Sequence, residues 1–304
     1  MVILTGTITD EYLNLASIYK QSYMVNNFLV QHISKGTARF FANASIAVGI
    51  LSTIGLSSSR AWADYYTSNI PPLVTSYIKT LTQQKKAINQ IVFAPNGGFG
   101  IVIGRNGYST YLLPQKLLKD LNDINKNRGI INSITFTPSR EWIVIYNDNG
   151  FYESTNFPQD VTNKLLEINK QKKTIKSVAF TPYGGWVILY GEKGTFWHNI
   201  PQALINKLVD INKADKSINY ITFTNNGEWI LIYDDRNGIA NSINFPQQVI
   251  PAIRKIYANF GQLTTIVFTP NNGWVLFYDD FATVIRRLQA EAEAYRRATE
   301  YIRQ

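Results

Sequence analysis

The chain has 304 residues, of which 45% are hydrophobic and 13% aromatic, so it can bury a substantial core. It contains no cysteine and only two histidines, which excludes disulfides, thiolate metal sites and cysteine nucleophiles and leaves little material for histidine-based catalysis. The formal net charge is +9, but the lysines are scattered rather than clustered, so we expect no nucleic-acid partner.

The first predicted element is an apolar run over residues 42–56, which follows Lys35 and Arg39. Small residues in an A-x-A arrangement then end at Ala63, and this order is typical of a secretory signal peptide. The run is shorter than the roughly 20 residues that span a bilayer. We therefore predict that residues 1–63 are a leader with a signal peptide. An uncleaved membrane anchor and a buried helix are the alternatives. The signal and anchor interpretations both predict export, to a periplasmic, secreted or outward-facing membrane-anchored location.

One phrase then recurs five times between Ile91 and Tyr278. Its copies are FAPNGGFGIVI at Phe93, FTPSREWIVIY at Phe136, FTPYGGWVILY at Phe180, FTNNGEWILIY at Phe223 and FTPNNGWVLFY at Phe268. The phenylalanines are 43, 44, 43 and 45 residues apart, which is the spacing of one supersecondary unit copied in tandem.

The third copy shows how a unit is built. IKSVAFT, from Ile175, alternates as a half-buried strand does, and WVILY, from Trp186, is apolar on both faces and must be covered on both. The second turn corresponds to Asn149-Gly150 and Asn237-Gly238 in other copies, dipeptides that are typical of tight hairpins. A short third strand ends at Pro201, and an apolar stripe with helical spacing follows. Each unit is therefore predicted to be strand, strand, strand, helix.

The two ends of the repeat region complement each other. The last copy stops after its second strand at Tyr278, whereas residues 69–88 resemble the strand end and helix at residues 199–218. Complementary halves favour a ring, because a shared last unit removes exposed strand edges. We therefore predict an α+β repeat protein, a closed five-fold propeller-like toroid over residues 64–280 in which residues 64–88 complete the last unit. A curved open array is the alternative.

The repeated phrase resembles the strand–turn–strand phrase of TolB-type and WD-type β-propellers, with Pro182, Gly184, Gly185 and Trp186 carrying the match. The full period also resembles a bacterial tandem repeat, FTPxGGWVxLYGxNGYxxxxIP. The order of elements is similar to the five-fold pentein α/β propeller. Penteins that act on guanidino compounds use a cysteine nucleophile, so the absence of cysteine separates the implied fold from that activity.

Candidate binding residues come from departures between copies. The third unit carries Trp197, His198 and Asn199 where other copies have unrelated residues, and function can be grafted onto such departures. Asp234 and Asp235 are the second candidate pair, in a turn of the fourth unit. We predict ligand contacts at these five positions, no catalytic residues, no metal site and no cofactor.

Three further groups of residues have both a chemical and a structural interpretation. Asp234 and Asp235, together with Asp279 and Asp280, could supply the acid and base of a glycan-directed hydrolase, which is the alternative function. Ordinary hairpin turns explain Asn147-Asp-Asn-Gly without calcium. The repeated tryptophans could stack on sugars, but core packing is favoured by their place in a strand that is buried on both faces. They are Trp142, Trp186, Trp229 and Trp274.

Residues 281–304 leave the repeat pattern and are predicted to form an amphipathic helix with apolar residues near heptad spacing. Such a helix could pack on the toroid, mediate self-association or partner binding, or lie at a membrane interface. The complete sequence therefore predicts an exported, non-enzymatic binding or scaffolding module with a protein or glycan partner.

Overall fold

The computed structural model describes residues 64–284 and residue 286. The predicted leader, residues 1–63, lies outside the described residues, as does most of the predicted helix over residues 281–304. At the start of that helix, the Val284 amide donates to the Asp280 carbonyl at 2.9 Å, which forms one helical turn.

Fifteen strands and five helices alternate in the described region. In chain order they are β1 (Asp64–Ser68), α1 (Pro72–Gln83), β2 (Ile88–Phe93), β3 (Phe99–Ile103), β4 (Gly107–Tyr111), α2 (Gln115–Lys126), β5 (Ile131–Phe136), β6 (Trp142–Tyr146), β7 (Gly150–Glu153), α3 (Gln159–Lys170), β8 (Ile175–Phe180), β9 (Trp186–Tyr190), β10 (Gly194–His198), α4 (Gln202–Lys213), β11 (Ile218–Phe223), β12 (Trp229–Tyr233), β13 (Gly238–Asn241), α5 (Ile250–Ala258), β14 (Gln262–Phe268) and β15 (Trp274–Asp279).

The strands form five separate three-stranded antiparallel sheets. Sheet 1 contains β2, β3 and β4, and sheets 2, 3 and 4 contain the next three consecutive triplets. Sheet 5 contains β14, β15 and β1. These repeated sheets with their intervening helices make a propeller-like repeat fold, which confirms the predicted unit.

The two ends of the described chain meet in sheet 5. β1 pairs antiparallel with β15, from Asp64 opposite Tyr278 to Ser68 opposite Trp274. The first strand of the sequence thus supplies the third strand that the last hairpin lacks.

Each helix packs between two successive sheets. In α4, Leu204 and Leu208 are fully buried in a cluster that includes Val187 of sheet 3 and Leu231 of sheet 4. A proline directly before the helix fits there, because the first helical turn has no use for its missing N–H. The contact between two sheets and the helix between them is called a seam below, and four seams join sheets 1 to 5 in order.

A fifth cluster links the last sheet to the first. Val74 and Ile78 of α1 are fully buried together with Val275 of β15 and Ile101 of sheet 1. In addition, β14 contacts β2, as the first strands of the other neighbouring sheets contact one another. This cluster is called seam 5–1.

A β-bulge interrupts the first strand of every sheet at its second or third residue. In sheets 1 to 3 the bulged side chain donates to a carbonyl of the turn after the second strand: Asn89 to Gly104, Asn132 to Asn147 and Lys176 to Glu192. In these three units the bulge therefore directs one polar side chain to the next turn.

The units are of two kinds, which differ in the residue before the second strand. Sheets 1, 3 and 5 have glycine there, and an added Cβ on Gly185 would lie 2.0 Å from the Asn199 carbonyl oxygen. Sheets 2 and 4 have Glu141 and Glu228 instead. Their connection from the third strand to the helix proline is one residue longer, as in Ser154-Thr-Asn-Phe before Pro158. The short connection passes so close to the turn that only glycine fits.

The Asn-Gly dipeptides lie at hairpins, but their glycines do not form the tight turn that such dipeptides usually make. A tight two-residue hairpin would place their glycines at positive φ, but the left-handed residues lie earlier in the turn, at Asn147, Gly191 and Asp234. Gly194 instead starts the third strand opposite Tyr190, and an added Cβ would lie 2.5 Å from the tyrosine ring. Glycine is required here because the tyrosine ring covers the strand.

Within residues 64–284 and 286, no helix has the length and apolar character needed to cross a membrane.

Candidate functional site

Trp197 and His198 lie on opposite faces of sheet 3. β10 pairs with β9 so that Trp197 is opposite Val187 and His198 is opposite Trp186. Successive side chains of a strand point to opposite faces, so Trp197 packs on the core of the next seam. His198 is exposed and stacks on Trp186, with ring centroids 6.0 Å apart and planes tilted by 28°. The two side chains do not converge on one ligand.

Asn199 has a backbone role. It adopts φ 47°, and Asn69 and Leu112 occupy the same position in sheets 5 and 1 with φ 52° each. Asparagine tolerates this left-handed conformation better than most residues. Repetition of the same backbone state in three units explains Asn199 without a ligand.

Asp234 and Asp235 lie in the turn between β12 and β13. The Asp234 carboxylate accepts from Lys216 Nζ at 2.8 Å. Asp235 acts on Lys176 of sheet 3, where burial lowers the pKa of the lysine and the Asp235 and Glu192 carboxylates partly offset that effect. Both aspartates thus interact with lysines at the rim formed by the turns between second and third strands.

The other predicted carboxylates are also engaged within the fold. Asp279 is buried and accepts from Arg236 at 2.9 Å, which links the turns of sheets 4 and 5. Asp280 accepts from the Thr283 amide at 2.7 Å and so caps the last described helical turn. Stabilising contacts of this kind account for both residues without an acid–base pair.

The four repeated tryptophans are core residues, as predicted. They retain between 2% and 8% of their exposure. Trp186 also donates from Nε1 to Asp160 at 2.6 Å, so its polar atom is satisfied across a seam. Their rings are not available as sugar-stacking platforms.

The structure contains a cleft that the sequence interpretation missed. It has a volume of about 410 Å³ and lies between the turns that join the first and second strands of sheets 2 and 3. Its lining includes Pro138, Pro158, Pro182, Phe180 and Tyr183. These turns form the first-turn rim of the molecule, opposite the rim that carries Asp234 and Asp235.

Tyr183 is the most exposed aromatic side chain of this rim. It keeps 75% of its exposure, and its hydroxyl donates to the Asn226 carbonyl at 3.5 Å in the neighbouring turn. The ring also lies over Gly227, whose added Cβ would be 2.9 Å away. Tyr183 therefore bridges sheets 3 and 4 while it forms one edge of the cleft.

A sequence signal for this residue was present. The corresponding positions of the other four turns carry small polar residues: Asn96, Ser139, Asn226 and Asn271. Tyr183 is thus a departure from the repeat of the same kind as Trp197, but located in a turn. From the sequence, Pro182 and the residues after it were interpreted only as part of a strand–turn–strand phrase.

The cleft has a mixed lining, in which apolar residues stand beside the side chains of Thr137, Ser139 and Glu141. Its three prolines have no N–H, and Phe180 has no polar side-chain atom. The nearest carboxylate, Glu141, already accepts from the Thr137 hydroxyl. In the part of the chain that the structure describes, no group of three or more His, Asp or Glu side chains is arranged to hold a metal ion.

The fold and its rim cleft define a propeller-like repeat protein. No protein-family model matches the chain, and no curated protein matches it. A solved structure titled "YCF48 bound to D1 peptide" is similar, with 12% identity, a TM-score of 0.30, and coverage of 61% of this chain and 60% of that chain. The match therefore spans less than two thirds of that protein, and a likeness at this level assigns no ligand.

Proposed function

We propose that this chain is an exported, non-enzymatic binding module built on a closed ring of five units. The observation that carries the proposal is the first-turn rim cleft, where the exposed Tyr183 stands in place of the small polar residue of the other turns. A concave site that combines apolar side chains with a few polar groups is typical of a ligand-binding site.

Closure of the ring is supported by contacts at seam 5–1. Each of the five clusters joins two neighbouring sheets, and the cluster with Val74 and Ile78 joins the last sheet to the first. β1 completes sheet 5, so neither end of the repeat region leaves a half-built sheet. A closed ring holds its rim turns rigidly, which preorganises the cleft for binding.

The chemistry of the cleft favours a polypeptide segment over a glycan. Four of the nine lining residues, Pro138, Pro158, Phe180 and Pro182, have no polar side-chain group, so a large part of the wall offers nothing to the hydroxyls of a glycan. Apolar side chains of an extended peptide suit such walls, and the Tyr183 ring adds a rigid anchor at the edge. The proposed partner is therefore a protein that presents an extended apolar segment.

The test uses a displayed library of short peptides that is panned on the full chain. The affinity of the enriched peptides is then measured by calorimetry. We expect Tyr183→Asn, which introduces the residue found at Asn96, Asn226 and Asn271, to weaken binding about tenfold or more, because loss of an aromatic anchor costs on the order of 1.4 kcal/mol or more. Asn271→Ser is the matched control on another turn and should leave the affinity unchanged.

Two outcomes would count against the proposal. If the enriched peptides bind Tyr183→Asn and the parent chain equally well, the cleft is not their site. If no peptide is enriched while a glycan array gives ligands that depend on Tyr183, the partner class is wrong and the binding site remains.

Export is tested separately by sequencing the N-terminus of the mature protein, which we expect to begin at Asp64.

A further inference from the structure

The outer wall of seam 5–1 differs from the other four seams. Two helix positions, four residues apart, face the next sheet in every seam. In α1 they are Leu73 and Tyr77. The corresponding pairs are Lys116 and Asp120 in α2, Asp160 and Lys164 in α3, Ala203 and Lys207 in α4, and Gln248 just before α5 with Ala252 inside it. Only the first helix has two large apolar or aromatic residues at these positions.

Lysine side chains occupy this wall in the next two seams. Lys116 Nζ bonds the Asp120 carboxylate at 3.0 Å and the Glu153 carbonyl at 2.8 Å, and it lies 4.8 Å from the Trp142 ring. In the following seam, Lys164 lies 4.6 Å from the Phe196 ring. Leu73 and Tyr77 have no charged group that could make such contacts.

Seam 5–1 instead presents a group of exposed apolar and aromatic side chains. Tyr77 packs edge-on against Phe99 at 5.8 Å, and Tyr111 stacks on Phe99 at 5.6 Å. Leu112 follows Tyr111 directly. The exposed fractions are 41% for Leu73, 37% for Tyr77, 45% for Tyr111 and 61% for Leu112. These four residues are called the seam patch.

The chain segment that carries the seam patch has a positive net charge, although one of its lysines, Lys116, pairs with Asp120 directly after it. Residues 65–119 contain no Asp or Glu. They contain six basic residues, all of them exposed: Lys79, Lys85, Lys86, Arg105, Lys116 and Lys119. Residues 64–304 have 26 basic and 19 acidic side chains, so this segment accounts for nearly all of their positive excess. The field at this wall attracts an anionic surface.

We propose that the seam patch docks this protein on an anionic membrane surface. Tyrosine and leucine side chains that stand out from a surface insert at the headgroup level, while surrounding lysines and arginines are attracted to anionic lipids. All four side chains of the seam patch are exposed, so they are accessible to a membrane surface. The patch is separate from the first-turn rim cleft, so a docked molecule keeps the cleft open to a protein partner.

The test measures hydrogen exchange of the full chain with and without vesicles. One set of vesicles is phosphatidylcholine alone, and the other includes about 30% phosphatidylglycerol. We expect protection of residues 72–83 and 107–113 with the anionic vesicles and at most weak protection with the neutral ones. Since the readout is local, binding through the leader does not produce this signal by itself.

A double variant tests the side chains with residues borrowed from other units. Leu73→Gln introduces the residue of Gln248, and Leu112→Asn introduces the residue of Asn69 and Asn199, which suits the left-handed backbone. We expect the double variant to lose about tenfold or more of its anionic-vesicle partitioning, because two leucine side chains no longer insert. Leu166→Gln with Ile243→Asn removes two comparably or more exposed apolar residues elsewhere and should leave partitioning unchanged.

Several results would overturn the proposal. Protection that maps outside residues 72–83 and 107–113, or equal partitioning of the double variant and the parent, would show that another surface binds the membrane. A parent chain that is dimeric by light scattering and becomes monomeric in the double variant would identify a second copy as the occupant. Protection by soluble polyglutamate but not by vesicles would identify an acidic polypeptide instead.

Discussion

The two kinds of unit differ in a way that couples two distant stretches of sequence. Sheets 1, 3 and 5 combine a glycine before the second strand with a short connection after the third, whereas sheets 2 and 4 combine glutamate with a connection one residue longer. In the longer connection, the Ser154 and Ser242 hydroxyls accept from the Trp142 and Trp229 amides. A glutamate beside the short connection would clash with its backbone, so the two segments vary together.

The strongest way to break this pairing is Gly185→Glu in sheet 3. An added Cβ would lie 2.0 Å from the Asn199 carbonyl oxygen, so the backbone must move, and we expect the free energy of unfolding to fall by about 3 kcal/mol or more. Urea denaturation measures the loss. Replacing His198-Asn199-Ile200 with Ser-Thr-Asn-Phe, as in sheet 2, should restore most of it. If the replacement gives no rescue, the two segments are not coupled.

Seam 5–1 can be compared with seam 3–4 by truncating equivalent helix residues. Ile78 and Leu208 are both fully buried, and we expect Ile78→Ala and Leu208→Ala each to cost about 2–4 kcal/mol of unfolding free energy. Equal costs support a closed ring, because α1 is then packed as tightly as α4. A cost below about 1 kcal/mol for Ile78→Ala alone would show that the ends of the repeat region are only loosely joined.

The tyrosine above Gly194 gives a smaller expected effect. Gly194→Ala places a Cβ 2.5 Å from the Tyr190 ring, and the ring must shift, so we expect a loss of about 1 kcal/mol. In a Tyr190→Leu background the same substitution should be neutral or slightly stabilising. Without the ring there is no clash, and alanine lowers the conformational entropy of the unfolded chain relative to glycine. A double-mutant cycle measures the coupling. Additive effects would contradict the role assigned to the ring.

The smallest expected effect concerns the bulge residue Lys176, which replaces the Asn89, Asn132 and Asn219 of other sheets. Burial lowers the pKa of Lys176, so the folded state releases its proton at a lower pH than the unfolded chain does. Stability therefore rises with pH from the folded-state pKa up to about 10.5. We expect Lys176→Asn to be more stable at pH 7 by up to about 1 kcal/mol, with the advantage shrinking as the pH rises towards 10.5. Thermal unfolding at a series of pH values checks this. A difference that grows with pH would refute it.

The unit was predictable because its signals are periodic. Strands such as Trp186–Tyr190 and helices such as Gln202–Lys213 follow from alternation and from the apolar stripe after proline. The role of β1 followed from the resemblance between two distant segments, and its pairing with β15 is observed. These features depend on local patterns that the repeat displays several times.

The candidate site was less predictable for physical reasons. Strand alternation alone separates Trp197 from His198, and the equivalent residues Asn69 and Leu112 would have indicated a backbone role for Asn199. The rim cleft is different, because it arises only when the turns of sheets 2 and 3 are brought side by side. Contacts between units, such as Arg236 with Asp279, likewise leave no pattern within a single copy.

The alternation of short and long connections is broken at one seam. Sheets 5 and 1 are both of the short kind, and they contact each other through β14 and β2. Every other contact between successive sheets joins a short unit to a long one, so seam 5–1, which carries the seam patch, is the exception among the described seams.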